Sequence, residues 1–158
     1  MANSEPGVFR IVGLPGDCIG PEVYASAEQV LAVLAGRHGF RYELDQQLIG
    51  GAAVDATGVP LPQATVDACR ASDAALLGAV GGPQWDDNPA EQRPELGLLQ
   101  IRAALNLFCN LRPVVMHPAL QRFSPLKPER LVDVDLIIVR ELTSGTYCRK
   151  KRRDEQQD

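Results

Sequence analysis

Residues 8–23 read VFRIVGLPGDCIGPEV and contain the pattern that decides the fold. The apolar run 8–14 predicts a strand, and the turn 15–20 leads into a helix for which Pro21 suits the first position. Such a turn is either an anion site built from free backbone N–H groups or an ordinary tight connection. Its glycines are four residues apart, which is not the dinucleotide fingerprint G-x-G-x-x-G.

Strand patterns and helix patterns continue along the chain. Five apolar residues at helical spacing predict the inner face of the first helix: Val23, Ala27, Val30, Leu31 and Leu34. Gly36 and Gly39 are predicted to end this helix. Segment 50–62 is turn-rich and predicts a loop. The other predicted elements are strands over 40–44, 74–80, 107–115 and 134–140, and helices from about 62 and over 95–105.

Alternation of strands with helices indicates an α/β fold with a largely parallel sheet. Ligands in such sheets bind beyond the carboxyl ends of the strands, so the loops after residues 14, 80 and 139 are the places to expect chemistry. The chain has 158 residues, of which 45% are hydrophobic and 23% charged. This composition argues against collagen, general disorder and a coiled coil. No run approaches the ~18 apolar residues of a spanning helix, so we expect no membrane insertion.

The net charge of −4 does not favour a nucleic-acid binder. Residues 149–158 differ from the rest, with five basic and three acidic side chains, and we expect them to be solvated and disordered. The run RKKRR is typical of a targeting signal or a nucleic-acid-binding patch. A frameshift, or read-through into unrelated sequence, explains it more simply. The sequence has four cysteines, no CxxC pair and two histidines, which gives little support to a zinc site. The simplest interpretation is that the cysteines are free thiols in a reducing cytoplasm.

Three arginines lie at predicted strand or helix positions, namely Arg102, Arg112 and Arg140. An arginine at the edge of a buried strand needs a partner, because an unpaired buried charge is costly. The partner is either a protein carboxylate or a substrate carboxylate. Guanidinium groups hold carboxylates bidentately, so three converging arginines would suit a di-acid.

Two further features have both a structural and a functional interpretation. Tyr147 follows a glycine-containing turn, and its phenol is either an ordinary surface group or a general acid. Gly97 inside a predicted helix costs about 1 kcal/mol and often marks the close approach of another group. Its neighbours Leu98 and Leu99 are either core residues or an apolar wall beside the arginines.

Seven segments resemble the isocitrate/isopropylmalate family of β-decarboxylating dehydrogenases, in the family's order. They are GDCIGPEV (16–23), GGAAVDATGVPLP (50–62), SDAALLGAVGGPQWD (72–86), RPELGLLQIR (93–102), LFCNLRPV (107–114), SPLKPE (124–129) and VDLIIVRELTSGTY (134–147). The resemblance implies a small-molecule substrate, 3-isopropylmalate, which NAD oxidises and which then loses CO₂ to give 4-methyl-2-oxopentanoate in leucine biosynthesis. A tartrate- or malate-type dehydrogenase is the alternative within the family.

The resemblance also implies site residues. Arg102, Arg112 and Arg140 would clamp the substrate carboxylates, and Tyr147 would protonate the enolate left by the loss of CO₂. The residues implied beside the cofactor are Gly82, Pro83, Gln84, Trp85 and Glu95. Leu98 and Leu99 would face the isopropyl group, where isocitrate-using relatives need polar contacts for a third carboxylate.

The family chemistry further implies Mg²⁺ or Mn²⁺, a catalytic lysine and an adenosine site, all downstream of Tyr147 and absent from this chain. We therefore expect an incomplete N-terminal portion: 1–106 from a first α/β domain, 107–147 as the opening strands of a second domain, and 148–158 as a tail. The resemblance implies a homodimer, but no turnover by the isolated chain. The alternative is a non-catalytic truncated isoform or gene-model fragment that pairs with a full-length subunit.

Two residues depart from the family pattern. Cys18 stands where the family usually has glycine, and Ser144 replaces the first glycine of the pair before the tyrosine. If position 18 needs a positive φ, a cysteine there strains the turn.

Overall fold

The computed structural model describes residues 7–142. The chain divides into two compact units, one up to Leu105 and one from Asn106 onward. This boundary falls one residue before the predicted boundary after residue 106. That the two units belong to the two domains of a larger enzyme stays a prediction, and the tail predicted at 148–158 lies outside the described residues.

The first unit contains a parallel three-stranded sheet flanked by helices, which confirms the predicted α/β class. The strands are β1 (Val8–Gly16), β2 (Arg41–Gln46) and β3 (Ala74–Ala79), in the order β2-β1-β3. The helices are α1 (Gly20–His38), α2 (Gly51–Thr57), α3 (Gln63–Arg70) and α4 (Pro94–Ala104). Because all three strands are parallel, the loops after β1, β2 and β3 lie at the same edge of the sheet.

Helix α2 lies within the segment that was expected to be a loop, so that prediction is wrong for Gly51–Thr57. A helix leaves its first N–H groups without intrahelical partners, and the sequence around residue 50 offers no Ser, Thr, Asn or Asp cap. The cap comes instead from Asp17, whose carboxylate accepts from the N–H groups of Gly51 and Ala52.

The inner face of α1 differs from the predicted stripe. Val23 and Val30 are 49% and 58% exposed, whereas Tyr24 and Ala35 are buried. The Tyr24 ring lies against Gly13 of β1, where a Cβ would collide with it. Burial, with a smaller contribution from the Glu28 carboxylate, raises the pKa of Tyr24.

The end of α1 is set by one of the two predicted glycine stops. The helix continues through Gly36 and is capped at Gly39, which has a φ of 70° and donates its N–H to Ala35 O. This left-handed cap is typical of glycine at the end of a helix.

The core of the first unit packs between the sheet and helices α3 and α4. Its buried members are Val12, Leu14, Ile49, Val66, Cys69 and Ile101. Within this cluster, burial first and the Asp45 carboxylate second raise the pKa of the Cys69 thiol. The core is thus built from aliphatic side chains, as the low aromatic content of 5% indicates.

The second unit is a two-stranded antiparallel sheet formed by β4 (Cys109–Val115) and β5 (Asp135–Glu141). Both strands were predicted, but a largely parallel sheet does not describe this pair. Between them lie two short 3₁₀ segments, Pro118–Phe123 and Pro128–Arg130. No helix in the described part of the chain is both long and apolar enough to cross a membrane.

Candidate active site

Loops from three segments meet at the carboxyl edge of the first unit's sheet, around the side chain of Asp17. This carboxylate is only 3% exposed. Its Oδ2 accepts from the N–H groups of Gly51 and Gly81, and its Oδ1 accepts from the N–H of Ala52, each at 2.8 Å. The turn after β1, the start of α2 and the loop after β3 therefore share one buried anchor.

The backbone of the β1–α1 turn is bonded internally. The Asp17 N–H donates to Ala79 O at 2.7 Å, and the Gly20 N–H donates to Asp17 O at 2.7 Å. These two groups are therefore not available to an anion. Cys18 has a φ of 50°, so the expected strain of a cysteine at this position is present.

The loop after β3 begins with two glycines that have little free space. Gly81 has a φ of 103°, and a Cβ placed there would lie 2.5 Å from Oε1 of Glu95. At Gly82, a Cβ would collide with the Cys18 sulfur and lie 3.2 Å from the Trp85 ring. The structure thus brings Gly82 and Glu95, two of the predicted cofactor residues, to the same loop.

Trp85 turns inward from this loop. It is 6% exposed, its indole lies against Gly51, and its Nε1–H donates to Asp55 Oδ1 at 3.0 Å. Its role in the described structure is therefore to anchor the loop to α2. Pro83 and Gln84, which share a single 3₁₀ turn with Trp85, are exposed.

Helix α4 carries four predicted site residues, and each lies three or four positions from two of the others, which is the spacing of one helix face. Leu98 packs against the apolar core, Leu99 is 50% exposed, Arg102 is half-buried and Glu95 is exposed. The close approach expected at Gly97 is present, because a Cβ there would collide with Pro60 O.

The second unit holds the other two predicted arginines. Arg140 on β5 pairs directly with Asn110 on β4, and Arg112 lies two residues beyond Asn110. Residues at these positions share one face of the ladder, so both guanidinium groups project from the same side. The Arg112 Nε–H donates to Asn110 Oδ1 at 2.8 Å, which orients this side chain.

Tyr147 and Ser144 lie outside the described residues. Within residues 7–142, no three His, Cys, Asp or Glu side chains are grouped as a metal site would require. The thiols of Cys18, Cys69 and Cys109 in this range are free.

The sequence analysis did not identify Asp17 as a site residue. The signal that could have found it is its position: an aspartate in a glycine-rich turn directly after a buried strand is held away from water. A buried carboxylate requires hydrogen-bond donors, and neighbouring loops of the same sheet edge are the nearest source of backbone N–H groups.

Comparisons with known proteins agree with this architecture. A family model described as isocitrate/isopropylmalate dehydrogenase matches residues 10–158. The 3-isopropylmalate dehydrogenase of Synechococcus sp. (strain CC9902) is 56% identical over 139 residues, which are 88% of this chain and 39% of that protein. That of Bacillus caldotenax is 56% identical over 141 residues, which are 89% of this chain and 38% of that protein.

Solved structures give the same fold. The isocitrate dehydrogenase of Methylococcus capsulatus superposes with a TM-score of 0.69 and 32% identity, covering 88% of this chain and 36% of that one. A β-decarboxylating dehydrogenase from Thermococcus kodakarensis superposes with a TM-score of 0.62 and 28% identity, covering 84% of this chain and 33% of that one. The chain thus spans about two fifths of the length of the curated relatives it matches, for example 39% and 38%.

Proposed function

The chain belongs to the isocitrate/isopropylmalate dehydrogenase family, and we propose that it supplies substrate and cofactor residues for the NAD-dependent oxidation and decarboxylation of 3-isopropylmalate to 4-methyl-2-oxopentanoate. The observation that carries the choice of substrate is on α4. Leu99 is 50% exposed, on the same face as the half-buried Arg102. An apolar surface beside a carboxylate-binding cation suits a di-acid with a branched aliphatic group.

The arginines are proposed to bind the substrate carboxylates. Arg102 offers one guanidinium from the first unit, and Arg112 and Arg140 offer two from one face of the second unit's sheet. Guanidinium–carboxylate pairs with two parallel hydrogen bonds fix orientation as well as charge. The family resemblance implies that such pairs would align the hydroxyl-bearing carbon of the substrate for oxidation.

The leucines are proposed to reject a third carboxylate. Placing an unpaired carboxylate against Leu98 or Leu99 would leave a buried charge without hydrogen bonds, which costs several kcal/mol or forces the group to remain solvated. An isopropyl group meets no such penalty. This contrast favours 3-isopropylmalate over isocitrate.

The loop from Gly82 to Trp85, with Glu95 beside it, is proposed to lie against the nicotinamide half of NAD. Gly81 and Gly82 keep the backbone free of Cβ atoms at the point where it is closest to Cys18 and Glu95, so it can approach a flat ligand. When bound, NAD would accept the hydride from the substrate. Tyr147 is proposed to donate the proton that completes the product after CO₂ leaves.

Mg²⁺ or Mn²⁺ belongs to the proposed chemistry only through the family resemblance. The described residues offer no group of carboxylates that fits such an ion. A homodimer is likewise proposed from the resemblance alone.

The experiment that tests this function is a chimaera. Residues 10–147 of this chain would replace the matching segment of the Bacillus caldotenax relative, and NADH formation from 3-isopropylmalate would be measured. We expect turnover, and we expect Arg102→Gln to lower kcat/KM by about 100-fold, because a charged hydrogen-bond pair to the substrate is lost. Arg37→Gln, at the exposed end of α1, is the matched control and should change kcat/KM less than about two-fold. A folded chimaera without activity, or equal effects of the two variants, would contradict the proposal.

A further inference from the structure

We propose that Asp17 is the positioning residue of the cofactor loop, which extends from Gly81 to Trp85. This inference rests on the proposed function for the identity of the ligand, and on the described geometry for the mechanism. The hydrogen bonds described for the Asp17 carboxylate come from backbone N–H groups. It acts through the backbone of three other residues.

The charge of the Asp17 carboxylate is buried. Asp17 is 3% exposed, and a carboxylate removed from water is stable only when donors satisfy its oxygens. Three backbone N–H groups do so, from Gly51, Ala52 and Gly81. Hydrogen bonds to an ionised acceptor are about twice as strong as neutral ones, so each bond holds its segment firmly.

Backbone hydrogen bonds hold Asp17 itself in place. Its N–H bonds to Ala79 O and its carbonyl accepts from the Gly20 N–H, so its backbone is tied to the end of β3 and the start of α1. Oδ2 of Asp17 occupies the space that a Cβ at Gly50 would need. The three amides thus bond to a carboxylate whose own backbone is held in place.

The cofactor loop is held on α2 at both ends. At its start, the Gly81 N–H shares Oδ2 of Asp17 with the Gly51 N–H. At its end, Trp85 lies against Gly51 and donates to Asp55. Loss of the first anchor would free Gly81 and the exposed residues Pro83 and Gln84, on which the proposed cofactor contacts depend.

The test is Asp17→Asn in the 158-residue chain. Whichever way the new amide is oriented, its NH₂ group replaces one carboxylate oxygen, so at least one of the three N–H groups faces a donor. The remaining oxygen is neutral, so the Gly81 N–H loses its charged acceptor in either orientation. We expect the Gly81 amide to exchange with solvent at least about 10-fold faster in this variant, as expected for the loss of a charge-assisted bond. Trp85 is the only tryptophan in the sequence, and its fluorescence should become more accessible to acrylamide. In the chimaera carrying residues 10–147, which contains the rest of the cofactor site, the Kd for NAD should rise about 10-fold.

The matched control is Thr65→Val. Thr65 is 1% exposed, and its hydroxyl donates to Leu48 O at 2.8 Å, so this variant also removes a buried hydrogen bond. Thr65→Val should lower the free energy of unfolding while leaving the quenching of Trp85 unchanged. In the chimaera it should also leave the Kd for NAD unchanged. If Asp17→Asn changes the amide exchange and Trp85 quenching no more than Thr65→Val does, the positioning role is overturned.

A measurement on the unaltered chain covers the case in which Asp17→Asn does not fold. The amides of Gly51 and Gly81 should both be protected at least about 100-fold relative to an unstructured peptide, because they bond to the same oxygen. Exchange of Gly81 at the unprotected rate would overturn the proposal. Protection of Gly81 together with undetectable NAD binding by the folded chimaera would instead support the positioning role and remove NAD as the ligand.

Discussion

The contact between Cys18 and Gly82 gives a quantitative test of the geometry of the cofactor loop. Gly82 has an extended φ of 172°, so alanine is permitted there by backbone conformation. Its Cβ, however, would overlap the Cys18 sulfur and lie 3.2 Å from the Trp85 ring. Overpacking of this kind costs about 1–3 kcal/mol, and the lower end applies here because Cys18 can rotate its one side-chain torsion.

A double-mutant cycle isolates the sulfur from every other effect of the substitution. Replacing glycine by alanine stabilises a chain by about 0.4–1 kcal/mol through the unfolded state, but this gain is equal in both backgrounds and cancels. Cys18→Ala removes the sulfur and keeps the positive φ. We therefore expect Gly82→Ala to destabilise the chain by about 1 kcal/mol more when Cys18 is present than when it is alanine.

The assay is urea or thermal unfolding followed by Trp85 fluorescence. For a unit of about 100 residues, 1 kcal/mol corresponds to a Tm difference of about 4–8 °C, which is readily measured. Gly36→Ala is the matched control, since nothing lies within 4 Å of a Cβ at that helix position. Its effect should add to that of Cys18→Ala. Additivity within about 0.3–0.5 kcal/mol for the Gly82→Ala pair would refute the described packing of Cys18 on the loop.

Two other predictions concern the core of the first unit. Alkylation mapped by mass spectrometry should modify the exposed thiols of Cys18 and Cys109 well before Cys69, because burial limits access to Cys69 and raises its pKa. The rate at Cys69 should still increase as pH rises above the ordinary thiol pKa of about 8.5, since more thiolate forms there; faster modification of Cys69 than of Cys18 would contradict this. Ile49→Ala should lower the free energy of unfolding by about 2–5 kcal/mol, because Ile49 is 0% exposed in the core. Val30→Ala, on the exposed face of α1, should change it by less than about 0.5 kcal/mol in the same denaturation assay.

Local patterns were sufficient to predict most of the elements. The apolar run before the glycine turn forms β1, the run after residue 73 forms β3, and the residues around Gly97 form α4. Each of these elements has enough apolar residues at one periodicity to determine its type. Two strands, β4 and β5, were also predicted from their apolar runs, but local pattern does not determine whether neighbouring strands are parallel.

The errors have physical causes that lie far away in the sequence. Helix α2 was missed because its cap, Asp17, lies 34 residues before Gly51. The inner face of α1 was assigned to Val23 and Val30 because they are apolar, whereas Tyr24 takes that position against the bare backbone of Gly13. Neither pairing can be derived from hydrophobic periodicity alone.

The candidate site likewise contains features that were predicted and features that depend on residues distant in the sequence. The strain at Cys18 was expected from the family resemblance, in which glycine is usual at this position. The close approach at Gly97 was expected from the cost of a glycine inside a helix, and the structure contains both. The buried position of Trp85 did not, because its partners Gly51 and Asp55 belong to the helix that was missed. The roles of the arginines remain predictions.

The measurement that tests the central claim most directly is the substrate preference of the chimaera carrying residues 10–147. The ratio of kcat/KM for 3-isopropylmalate to that for isocitrate compares an isopropyl group with a carboxylate against the same surface of α4. Because Leu99 is an exposed apolar side chain beside Arg102, we expect a ratio of at least about 100. A ratio near one, or a preference for isocitrate, would contradict the assignment of 3-isopropylmalate as the substrate.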